Sequence, residues 1–301
     1  MDKMDKSIIY KNLNDLPILK NLLSDNWIKE ELEKNKPSTL IWLIKYIEPM
    51  LQHLENNLNY VGSDEINQHK EHILEYLKGE VAQVYGIISE IDVWAHLKKN
   101  SIFCTYQPKI GGFDKNPDFL IKLDQDDIIV EVAALNEDNN VKDKMTEMLE
   151  EFKTKNKLSG HFVVNEVTQN SDCYRMYDLL KGKTKQLRKQ FKNILIINTL
   201  FTDGFSLRNA IHGYYRIEKD NQQIGYIDGN RREKGFFEQK EIHRRVNLIV
   251  GYTKLIDNCS LYFHNNPDTP FTQKEKKLLS KCFLRQIENV MNENDTVEVI
   301  K

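Results

Sequence analysis

The chain has 301 residues, 40% of them apolar, enough for one large domain or two modest ones with real cores. Charged residues make up 29% and nearly cancel; the formal net charge of -2 excludes a globally basic nucleic-acid binder and leaves a local basic face open. No stretch is long and apolar enough to span a bilayer, and Met1 to Lys6 leads into no signal-type apolar run, so a soluble cytoplasmic protein is expected.

Residues 7 to 78 read as a helical N-terminal region. Leu40, Ile41, Leu43, Ile44, Ile47, Leu51 and Leu54 keep helical spacing, with Pro37 and Ser38 at the start. Charged and Asn-rich sequence near 55 to 72 separates this region from an α/β domain over 79 to 301. His69 and His72 share a helix face there. With no third ligand type nearby, they read as a surface pair rather than a metal site.

An apolar helix over about 80 to 99 comes next. Then follow a short strand at Ser101–Gln107, a turn at Gly111–Gly112, and strands Phe119–Leu123 and Ile128–Ala134 around the acidic turn Asp124–Asp127. A charged helix over 138 to 156, a strand at Phe162–Val167, a helix over 172 to 192 and a buried strand at Asn193–Thr199 continue the pattern. Strands Val246–Tyr252 and Leu261–His264 and a helix over 272 to 293 close it. Short apolar strands alternating with helices predict an α/β fold, a mixed central sheet flanked by helices.

Cys104, Cys173, Cys259 and Cys282 are scattered with no CxxC pair, so reduced, mostly buried thiols are expected. No glycine loop of the P-loop or dinucleotide type is present, and ATP or NAD binding gains no support.

The stretch from Glu90 to Glu131 is the informative one. It holds Ser89-Glu90-Ile91 on a helix, Pro117-Asp118-Phe119 opening a strand, and Val130-Glu131-Val132 inside the next strand. A charge inside the run IIVEVAAL is costly unless it is paired or bound to metal. Glu90 is off the polar side of its helix, which is Ser89, Asp92, His96 and Lys99; it shares a stripe with Gly86, Trp94 and Leu97. An Asp at the mouth of one strand and a Glu on its hairpin partner can converge on a divalent cation, and magnesium takes only one or two protein carboxylates. The alternative is a set of salt-bridged core carboxylates.

At these residues the chain resembles the PD-(D/E)XK nuclease superfamily. The family pattern is a helix glutamate, a Pro-Asp, and a Glu-x-Lys on the following strand; here these are Glu90, Pro117-Asp118 and Glu131-Val132-Ala133. The segments SEIDVWAHLKKN, PDFLI and VEVAAL are similar to a version common in bacterial proteins. The resemblance spans about 79 to 135 and is weaker from 181 to 200. It implies a restriction-endonuclease-like core and hydrolysis of phosphodiester bonds in DNA, in restriction or genome defence. Magnesium or manganese would be held by Asp118, Glu131 and Glu90. A homodimer would suit double-strand cleavage, though no residue argues for one.

Ala133 stands where the family carries its lysine. Either another cation reaches that seat, or the chain is a catalytically inactive module that binds nucleic acid or a protein partner. Lys183 and Gln186, three apart on the 172 to 192 helix, are the substitute pair. Lys183 falls in the stripe of Met176, Leu179, Leu180 and Leu187, and similar helices in the superfamily place a Lys or Gln beside the active site. A snorkelling lysine is the bland alternative. Lys142 and Lys144 are weaker candidates.

The basic side of the same helix carries Lys181, Lys185, Arg188, Lys189 and Lys192. Lys181, Lys185, Arg188 and Lys189 are candidate phosphate-backbone contacts, or a solvated face. Arg231-Arg232 and His243-Arg244-Arg245 add basic groups, and His243 has no local partner for general-base work.

Overall fold

The computed structural model describes residues 6–34, 38–46, 48–111, 115–135, 172–199, 204–212, 214–217, 227–233, 235–238, 241–253, 256 and 259–283. Helices come first: α1 (Lys6–Asn14), α2 (Pro17–Leu22), α3 (Asp25–Glu33), α4 (Thr39–Tyr46), α5 (Glu48–Val61), α6 (Ser63–Gln68), α7 (Lys70–Leu77) and α8 (Val81–Lys99). The α/β part follows with β1 (Cys104–Tyr106), β2 (Phe119–Leu123), β3 (Asp126–Ala134), α9 (Asp172–Thr184), β4 (Lys192–Asn198) and α10 (Gly204–His212). A hairpin of β5 (Tyr214–Ile217) and β6 (Ile227–Glu233), then β7 (Leu248–Tyr252), β8 (Cys259–Phe263) and α11 (Gln273–Phe283), complete it.

Among the described residues, six strands form one mixed sheet in the spatial order β1-β2-β3-β4-β7-β8. β1, β2 and β3 run antiparallel in turn, β3, β4 and β7 are parallel, and β8 returns antiparallel to β7. The parallel joints need crossovers, and α9 and α10 lie within them. The chain is therefore α/β, a mixed sheet flanked by helices. No helix of the described residues is long and apolar enough to cross a membrane.

The period-two alternation of β3 sorts its side chains between two cores. Ile128, Val130 and Val132 join α8 and the N-terminal helices in one continuous cluster. Ile129 and Ala133 face the other way, onto Met176 and Leu180 of α9 and Leu207, Ala210 and Ile211 of α10. Glu131 shares this second face. β2 and β3 meet through a two-residue turn, with Leu123 opposite Asp126, and Asp124 takes φ 59°, a left-handed conformation that Asp tolerates.

The α8 helix starts in a capping box: the Glu80 side chain accepts from the Gln83 backbone, and the Gln83 side chain accepts from Glu80 N at 2.9 Å. Its supposed polar side is not solvated. Ser89, Asp92 and His96 are buried: Ser89 accepts from Asn198 Nδ2 of β4 at 3.0 Å, α5 packs over Asp92, and α11 reaches His96 at the far end. Asp92 accepts from Asn57 Nδ2 at 2.6 Å and lies 3.1 Å from His53 Nε2. His96 Nε2 meets the Cys282 carbonyl at 2.8 Å.

The polar stretch from 55 to 72 is largely helical; α5, α6 and α7 occupy most of it. Its polar residues serve other helices. Buried Glu55 accepts the Ile18 and Leu19 N–H groups at 2.6 and 2.9 Å, satisfying orphan donors of α2.

α9 ends at Thr184, short of 192. The Thr184 hydroxyl donates back to the Leu180 carbonyl at 2.7 Å, and Lys185 and Gln186 donate three residues back, a tightened last turn. Lys192 belongs to β4 instead. There it pairs with Asp126 and Glu275 and is no part of a basic helix face. Cys104, Cys259 and Cys282 are free thiols, the first two half-buried. The expected helix over 138 to 156, the strand at Phe162–Val167, Gly112, Lys142 and Lys144 lie outside the described residues, as do the side chains of Cys173, Arg231 and Arg232.

Candidate active site

The register of the sheet brings two of the acids side by side. Phe119 pairs with Val130, so Asp118, one residue before β2, stands beside Glu131 just past the end of the ladder. Its Oδ2 accepts the Val132 N–H at 2.7 Å, which fixes the carboxylate against β3. Gln107 bonds the same corner, its N–H donating to the Asp118 carbonyl at 2.9 Å and its amide making a long 3.5 Å contact to Oδ1. Gln107 does so at φ 47°, a left-handed backbone that is uncommon for a non-glycine residue.

Lys183 comes from the last turn of α9, across the second core. Its Nζ donates to Glu131 Oε2 at 3.0 Å and lies 3.7 Å from Asp118 Oδ2. Asp118 and Glu131 are each only 3% exposed. Glu90 enters from α8. Its Oε2 accepts the Tyr106 hydroxyl at 2.6 Å, and its charge acts on Asp118, Glu131 and Lys183.

Burial in this cleft disfavours charge, and the neighbours decide the rest. Burial, then the charges of Glu90 and Glu131, push the Asp118 carboxyl well above its usual range, against the pull of Lys183 and the Val132 N–H. Burial also raises Glu131, less so because Lys183 bonds it. For Lys183, burial works downward, yet Asp118 and Glu131 outweigh it and hold the ammonium above its ordinary value. The Tyr106 phenol is raised by burial and by Glu90, so it stays a hydrogen-bond donor.

The structure thus gathers Glu90, Asp118, Glu131 and Lys183, and it treats the other candidates differently. Gln186 follows the end of α9, and its Oε1 is buried with no hydrogen bond among the described residues. Lys181, Lys185 and Lys189 are exposed, while Arg188 is half-buried. His243 stacks on Phe236 at 4.1 Å and its Nδ1 meets the Phe236 carbonyl at 2.7 Å, a packed structural histidine.

His69 and His72 are not a surface pair. Both are half-buried around Tyr106, with ring centroids 5.0 and 5.8 Å from it, and the His72 Nε2 lies 3.9 Å from Glu90 Oε2. Tyr106 and Gln107 are site residues that the sequence left unmarked, and His72, read there as half of a surface pair, is a third member. A tyrosine in the strand before a Pro-Asp was the available signal for Tyr106; nothing local marked Gln107.

Among the described residues, no three His, Cys, Asp or Glu side chains converge as a ready set of metal ligands. What the donors do fit is a hard cation held by two carboxylates, Asp118 and Glu131, with waters completing the shell. Two buried acids of raised pKa, shared by one ammonium, leave negative charge for such an ion to neutralise.

Comparison of the chain with protein-family models, with curated proteins and with solved structures returns no match. The functional reading rests on the site's own geometry.

Proposed function

We propose that this chain is a metal-dependent endonuclease of the PD-(D/E)XK type, hydrolysing phosphodiester bonds in DNA, with Lys183 in the seat left vacant by Ala133. One observation carries the reading: an ammonium from α9 sits 3.0 Å from Glu131 and 3.7 Å from Asp118, on the face of β3 that Ala133 shares. The antiparallel β1-β2-β3 unit followed by parallel β4 suits a restriction-endonuclease-like core. Fold alone would not license the activity.

Magnesium or manganese, held by Asp118 and Glu131 and reached by Glu90 through water, would polarise the phosphoryl oxygen and acidify the attacking water. Lys183 stays protonated, because its pKa is raised. It therefore orients the water and stabilises developing negative charge, and it is no general base. Exposed Lys181, Lys185 and Lys189 and half-buried Arg188, at and beyond the end of the same helix, supply cations for the DNA backbone. A cytoplasmic role in restriction or genome defence, alone or as a homodimer, is compatible with this chemistry.

The experiment is plasmid cleavage with magnesium and with manganese, wild type beside Asp118→Ala. Wild type cuts, and the variant loses about 10²-fold or more while keeping its fold by circular dichroism. Cleavage that persists in Asp118→Ala removes the proposal.

A second reading, a nuclease-fold module that binds nucleic acid or a protein partner without turnover, is motivated by Ala133 in the place of the family's lysine. It expects DNA retention in a gel shift with no cut product under either metal. Metal-dependent cutting that vanishes with Asp118→Ala ends that reading.

A further inference from the structure

His72 belongs to the N-terminal helices, yet its ring stands at the edge of the carboxylate cluster. Its Nε2 is buried, makes no hydrogen bond among the described residues, and faces Glu90 Oε2 at 3.9 Å. That separation is an ion-pair distance and too long for a hydrogen bond. A buried ring nitrogen without a partner is disfavoured, and a small side-chain movement would close the gap. The same Oε2 already accepts the Tyr106 hydroxyl at 2.6 Å. Tyr106 is itself fixed by stacking on Trp94 at 4.4 Å, and the His72 ring is fixed against Tyr76 at 4.7 Å. His69 closes the far side, edge-on to both Trp94 and Tyr106.

We propose that His72 is a positioning residue for the endonuclease site: with Tyr106 it clamps one oxygen of Glu90 and leaves Oε1 to the reaction. The claim rests on the endonuclease reading and extends the working site into α7. The Nε2 carries the hydrogen, because a bare ring lone pair facing a carboxylate oxygen would be repelled. Tyr106 and His72 approach Glu90 from different elements, so the carboxylate is held from the sheet and from the N-terminal helices at once. An outer-shell partner of this kind changes activity without touching the substrate.

Two measurements on the full chain test this. Long-range ¹H–¹⁵N correlation of the histidine rings, with the His72 signals identified by their loss in His72→Gln, reads the tautomer directly. Hydrogen on Nε2 supports the clamp; hydrogen on Nδ1 with a bare Nε2 overturns it.

Plasmid cleavage by His72→Phe and His72→Gln supplies the second arm. His72→Phe lowers kcat about 10-fold or more with KM for DNA unchanged, and His72→Gln, whose amide N–H takes the place of Nε2–H, recovers most of it. His72→Phe matching wild type in kcat, while Asp118→Ala is inactive, overturns the clamp and leaves the endonuclease reading standing. If His72→Phe does not fold, the tautomer decides: a bare Nε2 overturns the clamp, and Nε2–H together with a His72→Gln kcat close to wild type supports it. A wild type that cuts nothing removes the endonuclease reading, and the catalytic part of this inference with it, whatever the tautomer.

Discussion

β3 meets a lysine and two carboxylates at two places, and the two clusters behave in opposite ways. At the start of the strand, Lys192 bonds Asp126 at 2.5 Å and both oxygens of Glu275 at 2.8 and 2.7 Å. Glu275 is further engaged, accepting the Thr272 N–H at 2.6 Å at the head of α11. Every charge has its partner, and the Lys192 bond holds the Asp126 carboxyl below its ordinary range. At Glu131 the composition is the same, one ammonium to two acids, but Glu90 adds a third negative charge and burial is deep. Asp118 is pushed well above its range. One cluster is a satisfied joint between strands and a helix. The other stores repulsion that a further cation would relieve, as the proposed endonuclease site requires.

The sharpest way to break this comparison is to remove each lysine in turn. Under the endonuclease proposal, Lys183→Met lowers metal-dependent cleavage about 10²- to 10⁴-fold, because it deletes the group proposed to orient the water. Lys192→Met keeps cleavage close to wild type and instead lowers stability by about 3 kcal/mol, because Glu275, 1% exposed, is left as an unpaired buried charge. Urea unfolding beside plasmid cleavage separates the two effects. Equal losses of activity in both variants would sink the distinction.

The two clusters also divide what the residues alone disclose. β2, β3 and β4 stand out in sequence because each is a short apolar run, and the apolar stripe that holds Lys183 turns it inward. The outward polar side assigned to α8 misleads, since Ser89 meets Asn198 of β4 and Asp92 and His96 are covered by helices from distant sequence; no local period reveals which faces a helix will bury. Glu55 and Asn57 look like linker residues and prove to be buried partners of α2 and Asp92. Lys192 reads as one more basic side chain, and only the packing of α11 beside β4 makes it an internal ion pair. Gln107 escapes notice and His72 reads as a surface residue for the same reason: long-range register, not spacing, brings them to Asp118 and Glu90. The hairpin β5–β6 escapes because YYRI and IDGNRRE are too polar to announce strands.

A second pair of variants sharpens the contrast in stability. Glu275→Gln removes a charge that is fully hydrogen-bonded and lowers unfolding free energy by about 2 kcal/mol. Asp118→Asn removes a charge that its neighbours repel, keeps an acceptor for the Val132 N–H, and raises stability by about 1 kcal/mol while abolishing cleavage. Denaturant unfolding at neutral pH reads both signs. A destabilised Asp118→Asn protein would mean that Asp118 is a structural partner of Lys183 and nothing more.

The smallest expected effect is in the pH profile, and its sign follows from the direction of each shift. Asp118 and Glu131 hold their protons to higher pH in the folded chain than in the unfolded one. Their contribution to stability is complete below the unfolded carboxylate values, about 4, and fades as pH rises through the raised folded values. Asp126 runs the other way: its contribution is present above its unfolded value and is lost as pH falls through its lowered one. From about pH 4 up through the raised folded values, then, the contribution of Asp118 and Glu131 falls, while that of Asp126 is already complete. The stability of Asp118→Asn minus that of wild type should grow across that window, measured by denaturant unfolding at several pH values. A difference that stays flat would mean the acids beside Lys183 feel no repulsion in the folded chain. The cleft would then be a second satisfied joint, chemically equivalent to the one at Lys192.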